Sequence, residues 1–108
     1  MRVIILVLLA ACYVAMSGTS VTAAGNADAA TGLIAEKCTS CHEVPGYKAR
    51  WERADLNAPG FAEIAKNLDV YTPARVRAFL QKPHWPMAQF ILSPGDIDNI
   101  LAFIERLR

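Results

Sequence analysis

The chain has 108 residues, 54% of them hydrophobic, with 11 Lys and Arg set against 10 Asp and Glu. That length suits a single domain. A formal net charge of +1 excludes the basic surface by which a protein grips nucleic acid or an anionic membrane.

The hydrophobic excess is front-loaded. Residues 3–16 form an unbroken apolar run, preceded by Arg2 and followed by the small residues Ser17, Gly18, Thr19, Ser20, Val21, Thr22, Ala23 and Ala24. A basic start, an apolar centre and a small-residue exit predict a signal peptide over 1–24 and export to the bacterial periplasm. The run is short of the ~20 apolar residues that span a bilayer, so an uncleaved anchor is the lesser reading. Leu9-Ala10-Ala11-Cys12 also resembles a lipoprotein cleavage box, but the apolar run continues through Tyr13-Val14-Ala15-Met16. Membrane contact is expected only if the segment is uncleaved or Cys12 is lipidated. Cleavage removes one cation and no anion, leaving residues 25–108 electrically balanced. A domain of that size has a thin core and gains from a covalent or cofactor staple.

Within 25–108, residues 25–31 are a polar lead-in. Ala30, Leu33, Ile34 and Lys37 then recur at helical spacing, and the helix runs up to Cys38. Gly32 inside it costs stability unless another element packs close to its backbone. Pro45-Gly46 marks a turn. Phe61, Ile64, Ala65 and Leu68 share one face of a second helix. Thr72-Pro73 caps and opens a third, whose apolar side is Val76, Phe79 and Leu80 and which Lys82-Pro83 stops. Residues 83–92 are a proline-rich loop. Ser93-Pro94 with Asp96 opens a last helix, striped by Ile97, Ile100, Leu101, Ile104 and Leu107. No strand pattern and no repeat is present, so the fold class is all-α, with three to five short helices.

Cys38-Thr39-Ser40-Cys41-His42 carries the chemistry. Two thiols three positions apart reach both vinyl groups of one haem and become thioethers, and the following His faces the iron as proximal ligand. Export agrees with this, because haem of this kind is attached outside the cytoplasm to an unfolded chain. Three other readings of the pair are weaker. A thioredoxin-like site belongs between a strand and a helix. A structural zinc site needs four closed ligands, and Cys38, Cys41, His42 and His84 have no recognised zinc spacing. A plain disulfide explains neither His42 nor the thin core. The expected cofactor is therefore one covalent haem c.

Two side chains compete for the distal face of the iron. Met87 is the only methionine beyond residue 24 and sits in the proline-rich loop; a thioether there raises the potential and suits reversible electron transfer. Gap-filling in a core is the bland role for a methionine. His84, three residues earlier, would give bis-histidine ligation and a lower potential.

These residues together resemble a class I mono-haem c-type cytochrome of the short bacterial type. The resemblance rests on the helix leading into Cys38–His42, on Ala58-Pro59-Gly60-Phe61-Ala62-Glu63-Ile64-Ala65, on Pro83-His84-Trp85-Pro86-Met87, and on the terminal helix from Ser93. It implies that the first and last helices pack together beside the haem, with Ala30 and Ile34 meeting Ile100, Phe103 and Ile104. It implies His42–Met87 ligation, and one-electron transfer between protein donors and acceptors rather than enzymatic turnover. The chain departs from the family in two places. The family's Gly-Pro element, whose proline carbonyl accepts from the proximal His, is missing, leaving Pro45 or Pro59 to substitute. Met87 is followed by Ala88 rather than Pro. Lys37 and Lys82 are candidates for the rim of the exposed haem edge, and Arg50, Arg53 and Trp51 for partners of the haem propionates. The competing functions are a haem subunit of an oxidase or dehydrogenase, which would co-purify with a membrane complex, and an open-site haem enzyme, which would need Met87 off the iron.

Overall fold

The structure is a computed structural model that describes residues 25–50, 54–82, 87 and 91–108. The expected signal segment 1–24 with Cys12, the residues Trp51 and Arg53, and His84 lie outside the described residues. Among the described residues there is no strand; four helices, α1 (residues 28–38), α2 (Phe61–Lys66), α3 (Pro73–Gln81) and α4 (Pro94–Arg106), make an all-α fold. None of the described helices is long and apolar enough to cross a membrane.

Helix α4 is the hub, and its start follows from local chemistry. The Ser93 hydroxyl accepts from the Asp96 amide at 3.1 Å while the Asp96 carboxylate accepts from the Ser93 amide at 3.1 Å. The two bonds close the capping box that Ser93-Pro94 and Asp96 predict, satisfying two otherwise orphaned donors. Helix α3 begins the same way, with Thr72 accepting from the Arg75 amide and Pro73 at the first position.

Helix α1 lies along α4. Ala30, Ile34, Ile100, Phe103 and Ile104 are all buried in one cluster, Ile34 completely, which is the seam the family resemblance implies. Polar contacts fix its ends. The Asn26 amide donates to the Asn99 side chain at 2.8 Å, and Arg106 pairs with Asp28 at 2.7 Å. Gly25 crosses so near the Asp98–Asn99 backbone that a Cβ there would collide with it.

Three expectations need correction. Gly32 is exposed, with nothing within 4 Å of where its Cβ would stand, so no helix packs on it; the close approach is made by Ala30. Leu68 does not extend the α2 face, because the helix ends at Lys66 and Leu68 is 44% exposed. In α4 it is Phe103, not Leu101, that completes the buried stripe of Ile97, Ile100 and Ile104.

The apolar side of α3 behaves differently from the others. No residue of α3 is buried. Val76, Phe79 and Leu80 instead line an open cavity of about 520 Å³ to which all four helices contribute. Arg77, on another side of α3, pairs with Asp98 of α4 at 2.7 Å.

Candidate haem-attachment site

The cavity is where the sequence motif ends up. Cys38 closes α1, and the chain then turns tightly: the amides of Cys41 and His42 both donate to the Cys38 carbonyl, at 3.2 and 2.9 Å. Cys38, Cys41 and His42 all line the cavity.

His42 is held from behind. Its Nδ1–H donates to the Pro59 carbonyl at 2.6 Å, and its ring sits edge-on to Phe61, centroids 5.4 Å apart. One residue on, the Phe61 amide donates to the Glu43 carbonyl at 2.8 Å. These two bonds lash residues 42–43 to 59–61. They commit Nδ1 to the backbone, leaving Nε2 as the free nitrogen, the arrangement that orients and strengthens a metal-binding imidazole. The acceptor is thus Pro59 and not Pro45. Pro45 sits in a type II turn, with the Tyr47 amide donating to the Val44 carbonyl at 3.1 Å and Gly46 at φ 83°. Asn57, at φ 49°, turns the chain just before Pro59, in the left-handed region Asn tolerates better than most residues.

Both cysteines are free. Burial, and secondarily the neighbouring Cys41, pushes the Cys38 thiol up to about 11. A redox-active thiol needs the opposite shift, and no strand precedes the motif among the described residues, so the thioredoxin-like reading fails. The zinc reading loses support too: among the described residues no three His, Cys, Asp or Glu side chains gather to hold a metal ion.

Met87, partly buried, lines the same cavity as His42. The rest of the wall is almost wholly apolar, with Leu33, Ile64, Leu92 and the α3 side chains prominent. Two thiols, one imidazole nitrogen, one thioether and an apolar wall are a donor set and a surface that fit a covalently held haem, and the volume falls within the range of about 300–1,000 Å³ usual for cofactor pockets.

The basic residues are redistributed relative to expectation. Arg50 does not line the cavity; its guanidinium donates to the Glu36 carbonyl at 3.1 Å. Lys37 and Arg75 do line it, Arg75 with its guanidinium anchored on the Val70 carbonyl at 3.1 Å. Sequence reasoning missed Arg75 and the neighbouring Tyr71. A usable signal existed: Arg75 is one turn before Phe79 and next to Val76, so it shares the cavity side of α3.

Comparison with known proteins gives the family. The chain is 34% identical over 99 residues to Cytochrome c-552 of Bradyrhizobium diazoefficiens, covering 90% of this chain and 91% of that protein. The chain belongs to the small class I c-type cytochromes. No family model matches it, and no solved structure matches it. The all-α fold, the motif spacing of Cys38, Cys41 and His42, and the paired first and last helices are those of such a cytochrome.

Proposed function

We propose that this cytochrome is an exported, mono-haem, one-electron carrier in which Cys38 and Cys41 form the thioethers, His42 is the proximal ligand and Met87 the distal one. The observation that carries the reading is the convergence of these four side chains on one apolar cavity, with His42 oriented by the Pro59 carbonyl. Haem bound there supplies an iron couple that takes up and gives back one electron.

The chain's own residues do the rest. Pro59 holds His42 in the tautomer that offers Nε2. Phe61 packs on the imidazole ring and limits its rotation. The apolar wall from α3 excludes water, which raises the potential. Arg75 and Lys37 supply positive charge on an otherwise apolar surface, suited to the haem carboxylates. With His42 and Met87 both holding the iron, no open position would be left for a substrate, which favours transfer between redox-protein partners in the periplasm over turnover.

The test is expression with a haem-maturation system, followed by intact mass and a visible spectrum. A mass equal to residues 25–108 plus one haem, with a six-coordinate low-spin spectrum and the weak red band of a sulfur ligand that vanishes in Met87→Ala, supports every part of the reading. A low-spin spectrum lacking that band assigns the distal site to His84 instead. A high-spin native spectrum refutes the carrier and favours an open-site enzyme.

A further inference from the structure

The last turn of α1 is not α-helical. After a 3₁₀ turn (Asp28–Ala30) and one α turn (Thr31–Leu33), Ile34–Cys38 is a π turn, closed by the Thr39 amide donating to the Ile34 carbonyl five residues back, at 3.3 Å. Turns of this kind are rare and concentrate at functional sites.

Its consequence can be read from burial. In an unbroken α-helix residues four apart share a face, so Cys38 would sit above Ile34 and point at α4. Here residues five apart share a face instead. Ile34 and Thr39 are both buried, at 0% and 2% exposure, while Leu33 and Cys38 both line the cavity. The π turn puts Thr39 in the seam beside Ile34 and leaves Cys38 at the seam's edge, lining the cavity.

Thr39 is the only buried polar side chain among the described residues, and it is fully satisfied. Its hydroxyl donates to the Ala35 carbonyl at 2.7 Å, the four-residue back-bond that bends helices. Its own carbonyl accepts from the Arg50 amide at 3.1 Å, and the Arg50 side chain caps the Glu36 carbonyl. A hydroxyl buried without that partner would carry its full desolvation cost, so the irregular turn and Thr39 support each other.

We propose that Thr39 is a positioning residue: its hydroxyl bond to Ala35 fixes the π turn and thereby sets Cys38 against the haem. The proposal rests on Cys38 being a thioether residue, and the wild-type mass and spectrum establish or refute that separately.

The test is a double-mutant cycle on holoprotein, read by midpoint potential. Thr39→Val, which keeps the shape and loses the hydroxyl, lowers the potential as Cys38 shifts and water reaches the haem edge; Thr39→Ser restores the wild-type value. In a Cys38→Ala background, where haem is held by Cys41 alone, the same Thr39→Val change leaves the potential unmoved. An equal shift in both backgrounds, or none in either, overturns the proposal, because a merely structural Thr39 acts regardless of Cys38. Should Thr39→Val fail to fold, Thr39→Ala takes its place in both backgrounds, with the same expected result and the same overturning one.

Discussion

Ile34 is the residue on which the pairing of α1 with α4 should depend most. Among the described residues it is the largest fully buried side chain, it belongs to the same cluster as Ile100, Phe103 and Ile104, and it stands at the base of the turn that ends in Cys38. Ile34→Ala removes three carbon atoms from the centre of the seam. At about 0.8 kcal/mol per buried methylene the transfer loss alone is ~2.4 kcal/mol, and the residual cavity brings large-to-small core changes to about 2–5 kcal/mol. We take ~3 kcal/mol. In a domain of this size each kcal/mol moves the midpoint of thermal unfolding by roughly 4–8 °C, so a fall of about 12–24 °C is expected for holoprotein followed by circular dichroism. Ile34→Val should cost only about 0.5–1.5 kcal/mol. The visible spectrum below the transition should stay that of the wild type, since Ile34 does not touch the cavity. A loss under ~1 kcal/mol for the alanine variant would refute the seam as the structural centre of the fold.

Two glycines should respond in opposite directions. Gly32→Ala, at an open helical position, should stabilise by about 0.5–1 kcal/mol, whereas Gly46→Ala, at φ 83° in the type II turn, should destabilise by roughly 1–2 kcal/mol; urea unfolding of the two holoproteins measures both. Chain made without haem attachment, as in Cys38→Ala/Cys41→Ala, should lose most of its far-ultraviolet helical signal, because α3 would then present Val76, Phe79 and Leu80 to water with no compensating core. A wild-type helical signal in that variant would show the four helices to be self-sufficient. Asp28→Asn, which breaks only the exposed pair with Arg106, should change stability by less than about 1 kcal/mol, measured in the same unfolding experiment.

Much of this cytochrome is legible in its sequence because its strongest signals are local. The caps at Thr72-Pro73 and Ser93-Pro94-Asp96 are short-range hydrogen bonds and appear as written. The attachment motif is five consecutive residues whose chemistry fixes their spacing. The seam was legible through the family resemblance, which implies that Ala30 and Ile34, four apart on one stripe of α1, meet the apolar stripe of the last helix. Leu68 failed because helical spacing was extended past the point where the backbone stops supporting it. The chain leaves helical geometry at Asn67 (φ −95°, ψ 73°), and spacing alone carries no record of that.

The parts that sequence left open are those decided by closure over distance. Whether Pro45 or Pro59 receives the His42 proton depends on how residues 43–60 loop back, and the bond spans 17 positions. Pro45-Gly46 makes a local turn closed on the Val44 carbonyl, while the chain reaches Pro59 through Asn57, which is in the left-handed region. The π turn is hidden for a related reason. Over the few residues that it occupies, a period of five and a period of four differ by a single position, and Thr39, polar by type, gives no sign that it is the residue to be buried. Burying a hydroxyl is worthwhile only because α1 supplies Ala35's carbonyl within reach. The bond that closes the turn before Cys38 therefore uses a partner that the sequence contains but does not announce.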